Sequence, residues 1–270
     1  MITGIVFSKD RPAQLHACIE SIQKNAAGIF NINVLYAASN EYFQHGYDML
    51  MDETLGVRFI KESNFKKEML GILDEFNNEK LLCFFTDDSI VYRPAGSLDD
   101  FSEVFDVSEM LCCSLRLGQN TVIQNPYKDT RSVIPSHSMS MKDKFLAWEW
   151  VRIPSSSNFG YPFSVDGHIY RKIDMIDIFR SYGYDTPNSF EGRFPVGSKL
   201  FPLMCCFEKS VLVNTPINIV GSSQNKSGEN FGISLEDFNK QYLDGKRINI
   251  EKMDFENIIG CHQEIKMVME

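Results

Sequence analysis

The sequence predicts an α/β protein with a mostly parallel central sheet of the doubly wound kind, flanked by helices. Three observations carry this. Short, unbroken apolar runs recur at Gly4–Phe7, Ile32–Ala38, Val57–Ile60 and Leu81–Phe85. Segments with helical spacing lie between them, and continuous apolar runs mark strands that helices cover on both faces. Polar clusters follow the first and last runs at once, as Ser8-Lys9-Asp10-Arg11-Pro12 and Thr86-Asp87-Asp88. Ligands of such sheets bind beyond the carboxyl ends of the strands, which is where both clusters fall.

The elements follow in order. Gly4–Phe7 is the first strand. Leu15, Cys18/Ile19 and Ile22 then share one helical face, with Asp10 as N-cap and Pro12 in the first turn. Ile32–Ala38 and Val57–Ile60 are the second and third strands. Asn64 caps a helix whose Met69, Ile72/Leu73 and Phe76 repeat the same spacing. Leu81–Phe85 completes a β-α-β-α-β-α-β half over residues 1–95. Ser97 with Asp100 three residues on is a capping box opening a helix through Phe105. Met110–Leu117, Phe145–Val151, Leu203–Phe207 and Val211–Val220 read as strands, and Met175, Ile178/Phe179 and Tyr182 as a helix. Residues 118–144 and 152–165 read as polar loops over a site, and 221–233 as the most flexible segment. No repeat or linker interrupts the 270 residues, so 1–270 reads as one domain with halves 1–95 and 96–270.

Lys and Arg number 27 and Asp and Glu 36, a formal charge of −9. That balance argues against nucleic-acid polymers as partners, yet a local cation or a metal still admits an anionic substrate. The seven cysteines show no C-x-x-C spacing, and several sit in apolar runs, the pattern of buried thiols in a reduced compartment. No signal peptide is visible, and no apolar stretch approaches the ~20 residues that span a bilayer. A cytoplasmic location is expected, with peripheral membrane association left open. The dinucleotide fingerprint G-x-G-x-x-G, the P-loop and the G-x-S-x-G elbow are all missing from the sequence.

Asp87 and Asp88 directly follow a buried strand. Two adjacent carboxylates repel unless a cation or a hydrogen-bonding sugar lies between them, and oxygen ligands of this kind suit Mg²⁺ or Mn²⁺. A solvated acidic turn is the plain alternative. The FFTDD run after four strands, with the FSKDRP turn after the first, resembles the GT-A fold glycosyltransferases, particularly the family 2-like bacterial polysaccharide enzymes. SLRLGQN (114–120), YPFSVDGH (161–168), PNSFEGR (187–193) and VNTPINIV (213–220) resemble recurring blocks of the same proteins, so the likeness covers most of the chain.

The resemblance implies a Rossmann-like nucleotide-diphospho-sugar transferase fold, with residues 1–95 as the nucleotide-sugar-binding half and 96–270 as the acceptor-binding half. It implies metal-dependent transfer of a sugar from a nucleotide-diphosphate donor, UDP-sugar favoured, to a polysaccharide or glycolipid acceptor. Asp87 and Asp88 match the acidic cluster that holds ribose and metal, with one acidic position of the fuller pattern absent. Glu191, in a loop beside Arg193, is the candidate base, and Asp166 its rival; Asp166 also suits an acceptor-positioning role or a helix N-cap. A true base at either position gives inversion, and otherwise retention becomes open. His262 is a candidate third metal ligand, while His137 and His168 have no metal-site spacing of their own. Phe7 and Ser8 would line the base pocket, and Arg11 and Lys66 would meet phosphate, with Lys9 and Lys61 nearby. Trp148 and Trp150 on one strand face suit the core better than a sugar platform. The alternatives are a sugar-nucleotide nucleotidyltransferase, weakened by the lack of a glycine-rich turn after the first strand, and a non-catalytic glycan-binding or scaffold module.

Overall fold

The computed structural model describes residues 1–125, 130–136, 138–141, 143–192, 201–220 and 227–270. The first part alternates as the apolar runs require: β1 (Ile2–Lys9), α1 (Pro12–Asn25), β2 (Phe30–Ala37), α2 (Glu41–Glu53), β3 (Arg58–Lys61), α3 (Phe65–Glu75) and β4 (Leu81–Thr86). There follow β5 (Ser89–Val91), α4 (Leu98–Val104), β6 (Met110–Ser114), β7 (Ile123–Asn125), β8 (Thr130–Arg131), β9 (Met139–Met141) and β10 (Phe145–Glu149). The chain continues through β11 (His168–Arg171), α5 (Lys172–Ser181), α6 (Pro187–Glu191), β12 (Leu203–Phe207), β13 (Leu212–Asn214) and α7 (Leu235–Leu243).

Among the described residues nine strands form one sheet in the order β3-β2-β1-β4-β11-β6-β12-β10-β9, with β10 and β11 running against the others. The expected mixed α/β architecture with a mostly parallel sheet is present. The pleat divides β1 between two cores. Ile2 and Val6 join Leu15, Cys18 and Ile19 of α1 on one face. Ile5 and Phe7 join Phe65 and Met69 of α3 and Phe84 of β4 on the other. All seven cysteines are buried as free thiols. No helix among the described residues is long and apolar enough to cross a membrane.

Register places the site. Phe7 lies opposite Thr86 across β1 and β4, so the Ser8–Arg11 and Asp87–Asp88 turns leave the sheet side by side. The Asp87 N–H donates to the Phe7 carbonyl at 3.0 Å, which ties the two turns together.

Several local expectations are corrected. Asp10 does not cap α1, because its backbone is left-handed (φ 56°) and its carboxylate accepts instead from the Ser39 N–H and hydroxyl. Asp166 and Gly167 precede β11 rather than a helix, and that four-residue strand sits between β4 and β6 at the middle of the sheet. Trp150 opens a 3-10 turn, so it leaves the strand that carries Trp148. The strand expected over Val211–Val220 shrinks to β13, which pairs with β5 outside the main sheet. Asn64 and Ser97 do cap their helices, the latter as a full capping box.

Candidate active site

At the end of β4 two carboxylates share a guanidinium. Arg11 Nη1 donates to Asp87 Oδ1 at 2.9 Å and lies 3.7 Å from Asp88 Oδ2. Its Nη2 donates to the Asn218 carbonyl at 2.5 Å, joining the first strand's turn to a distant loop. The other Asp87 oxygen accepts from the Lys9 N–H at 3.2 Å. Burial, the largest influence, pushes the Asp87 carboxyl up to about 6; Arg11 pulls it back and Asp88 adds to the rise. Burial pulls the Arg11 guanidinium down, but Asp87 and Asp88 more than reverse that, so it stays charged. Ser8 Oγ and Tyr47 Oη share a 2.7 Å hydrogen bond, and the Arg11 N–H donates to the same phenol oxygen.

Thr86 connects this pair to a second group of charges. Its Oγ1 lies 2.7 Å from Asp88 Oδ1 and 2.9 Å from Asp166 Oδ1, and its single hydrogen serves one of them at a time. Asn214 Nδ2 donates to Thr86 Oγ1 at 2.9 Å and reaches Asp88 Oδ1 at 3.2 Å. On the far side of Asp166, Oδ2 accepts from Arg116 Nη1 at 3.1 Å, and the same nitrogen is 3.1 Å from His262 Nε2. Glu191, the last residue of α6, accepts from the Val165 N–H at 3.2 Å. Burial first, and then the Asp166 charge, push its carboxyl up to about 7 against the pull of Arg116. Burial likewise holds the His262 imidazole below its ordinary value, although Asp166 opposes this.

Over 276 aligned residues the chain is 25% identical to the bifunctional glycosyltransferase pgtA of Dictyostelium discoideum, an alignment covering 92% of this chain and 36% of that protein. The chain resembles a glycosyltransferase over almost its whole length. It spans only about a third of that relative. Among solved structures, TarS 1–349 of S. aureus in complex with UDP-GlcNAc is similar at a TM-score of 0.46 and 14% identity, over 88% of this chain and 63% of that one. The apo WbbM bifunctional glycosyltransferase gives 0.35 and 16%, over 74% and 37%. UDP-glucose pyrophosphorylase complexed with UDP-glucose gives 0.41 and 10%, over 79% and 93%. No family model matches the chain.

Of the residues singled out from the sequence, Ser8, Arg11, Asp87, Asp88, Asp166, Glu191 and His262 fall into this linked group. Phe7 does not: its ring packs inward, 5.2 Å from Phe65 and 5.7 Å from Phe84. Lys66 does not either, because its ammonium donates to the Arg180 and Tyr182 carbonyls at the end of α5. Glu191 ends a helix rather than lying in a loop, and Arg193 and His137 are outside the described residues, as are residues 221–226. His168 is buried, with Nδ1 3.8 Å from Cys112 Sγ. Trp148 donates to the Phe159 carbonyl and walls a cavity of about 260 Å³ with Leu146, Phe159 and Ile134. Arg116, Asn214 and Tyr47 are additional members of the group. Arg116 carries the one signal readable beforehand, a cation inside the apolar run Met110–Leu117.

Among the described residues no three His, Cys, Asp or Glu side chains are grouped to hold a metal by themselves. Among the described residues Asp88 Oδ2 is approached only by Arg11, at 3.7 Å, whereas both Asp87 oxygens are engaged at hydrogen-bond distance. One carboxylate oxygen of Asp88 therefore suits Mg²⁺ or Mn²⁺ that takes its remaining ligands from phosphate and water.

Proposed function

We propose that the chain is a nucleotide-sugar glycosyltransferase that passes a sugar from a nucleotide-diphosphate donor to a glycan or glycolipid acceptor with inversion. One observation carries the reading. Buried Asp87 and half-buried Asp88 at the end of β4 are joined through Thr86 to Asp166, beside Glu191, whose carboxyl is pushed up to about 7. A base that accepts a proton from an acceptor hydroxyl works best with a pKa near the operating pH. Asp166 has one oxygen beside Thr86 and the other on Arg116, so it suits a positioning role. Glu191 takes the hydroxyl proton, the acceptor oxygen bonds to the anomeric carbon, and the carbon–oxygen bond to the diphosphate breaks.

UDP-sugar is the donor that the sequence resemblance favours, and the likeness to pgtA supports a sugar transferase. Asp87, fixed by Arg11 and Lys9, would face the nucleoside. Asp88 would hold Mg²⁺ or Mn²⁺, which when bound would neutralise the departing diphosphate. Residues 96–270 would supply the acceptor side. Calorimetry with UDP, followed by transfer assays on a panel of glycan acceptors, tests the reading. Glu191→Gln should keep UDP affinity and lose transfer. Wild-type protein without UDP affinity would overturn the proposal.

A further inference from the structure

Arg116 and His262 meet at a single ring nitrogen, and that contact settles what the imidazole can do. A guanidinium has only N–H groups to offer and stays protonated, so at 3.1 Å His262 Nε2 must be the acceptor. A neutral imidazole that accepts at Nε2 carries its hydrogen on Nδ1. Nε2 is thus occupied by Arg116 and Nδ1 by a proton, which leaves no lone pair for a metal. The contact is held from several sides. Arg116 is 3% exposed, and its other 3.1 Å partner is Asp166 Oδ2. Cys261 Sγ donates to the Arg116 carbonyl, while Asn214 N donates to the Cys261 carbonyl and Gln263 N to the Asn214 carbonyl, both at 2.9 Å. The His262 side chain remains 41% exposed, against 12% for Asp166.

We propose that His262 donates through Nδ1–H to the diphosphate of the nucleotide sugar rather than serving as a third metal ligand, with Arg116 as the positioning residue that sets its tautomer. The identity of the ligand rests on the transferase reading; the tautomer does not. A phosphate oxygen is the acceptor because His262 is laddered to Asn214, whose side chain reaches Asp88, the carboxylate proposed for the metal that accompanies a diphosphate.

Nitrogen-15 NMR of histidine-labelled protein tests the tautomer first. His262 should show the Nδ1–H form, and Arg116→Met should shift it toward Nε2–H; an Nε2–H ring in the wild type overturns the proposal. Two substitutions then separate donor from ligand, since the amide nitrogen of Asn overlays Nδ1 and that of Gln overlays Nε2. In calorimetry with UDP, His262→Asn should bind much as wild type, and His262→Gln about tenfold more weakly. Mn²⁺ affinity of the UDP complex, read by electron paramagnetic resonance, should be unchanged in both. A loss of Mn²⁺ affinity in both variants would make His262 a ligand and overturn the assignment. Wild-type protein that shows the Nδ1–H ring but no UDP affinity would overturn the diphosphate role together with the transferase reading.

Discussion

Glu191 offers the sharpest test, because burial and two opposed neighbouring charges, Asp166 and Arg116, dominate its proton affinity. Its carboxyl rises from 4.5 to about 7, a difference worth about 3 kcal/mol between its two protonation states. A base must be ionised to act. kcat/KM for sugar transfer should therefore fall below pH 7, with about a tenth of Glu191 ionised one unit lower and about a hundredth two units lower. The assay is transfer to a fixed acceptor between about pH 5 and pH 9. A flat profile down to pH 5, or a Glu191→Gln variant with wild-type turnover, would refute the assignment. The same displacement acts on stability, and its sign is opposite to that of a salt-bridged carboxylate. The folded-state pKa lies above the unfolded one, so no penalty exists below pH 4.5 and the penalty grows as pH rises through 7. Glu191→Gln should melt higher than wild type at pH 8, by up to about 3 kcal/mol in stability, and the gain should vanish toward pH 4.5.

Three further outcomes follow from individual contacts. Arg11→Met leaves Asp87 and Asp88 facing each other without a buried cation and should cost about 3–5 kcal/mol in urea unfolding, partly restored by adding Asp87→Asn. Lys66→Met should lower stability by about 1 kcal/mol through loss of its bonds to the end of α5, with UDP affinity unchanged; weaker UDP binding would return Lys66 to the phosphate role. Gly228 has φ +82°, and a Cβ there would lie 2.6 Å from the Ile217 carbonyl. Gly228→Ala should therefore break the turn whose four N–H groups, from Gly228 to Phe231, donate to Glu264, seen as a melting temperature lower by several degrees.

The parts legible in the sequence are those set by nearest neighbours. Apolar runs buried on both faces located β1, β2, β4 and β12, and Asn64 and Ser97 marked helix starts because a cap needs only its next three residues. β11 escaped notice although it lies mid-sheet, since His-Ile-Tyr-Arg has no apolar run and its ends find partners only in the fold. The site divides in the same way. Asp87 and Asp88 follow directly from a strand end, and the sequence resemblance singles out Asp166, Glu191 and His262. Arg116 joins Asp166 across 50 residues and His262 across 146, a contact that no local pattern encodes. Lys66 shows the converse: a cation near a strand end reads as a phosphate ligand until a neighbouring helix terminus claims it.

Charge bears on how an acidic protein would hold the proposed anionic donor, and it yields a test with opposite signs in two buffers. Asp87, Asp88, Asp166 and Glu191 face Arg11 and Arg116, and burial with the Arg116 charge disfavours the protonated form of His262. With all four carboxylates ionised the group carries two uncompensated negative charges, enough to repel a bare diphosphate and to attract a divalent cation. Asp88→Asn removes one of those charges together with the carboxylate oxygen proposed for the metal. In EDTA, UDP should therefore bind Asp88→Asn more tightly than wild type, by about tenfold for a unit charge a few ångströms away in a half-buried site. In Mn²⁺ the order should reverse, because only the wild type gains the cation. Calorimetry in the two buffers reads both signs. Weaker binding by the variant in EDTA would mean that Asp88 contacts the nucleotide directly, and equal binding in Mn²⁺ would remove it from the metal site.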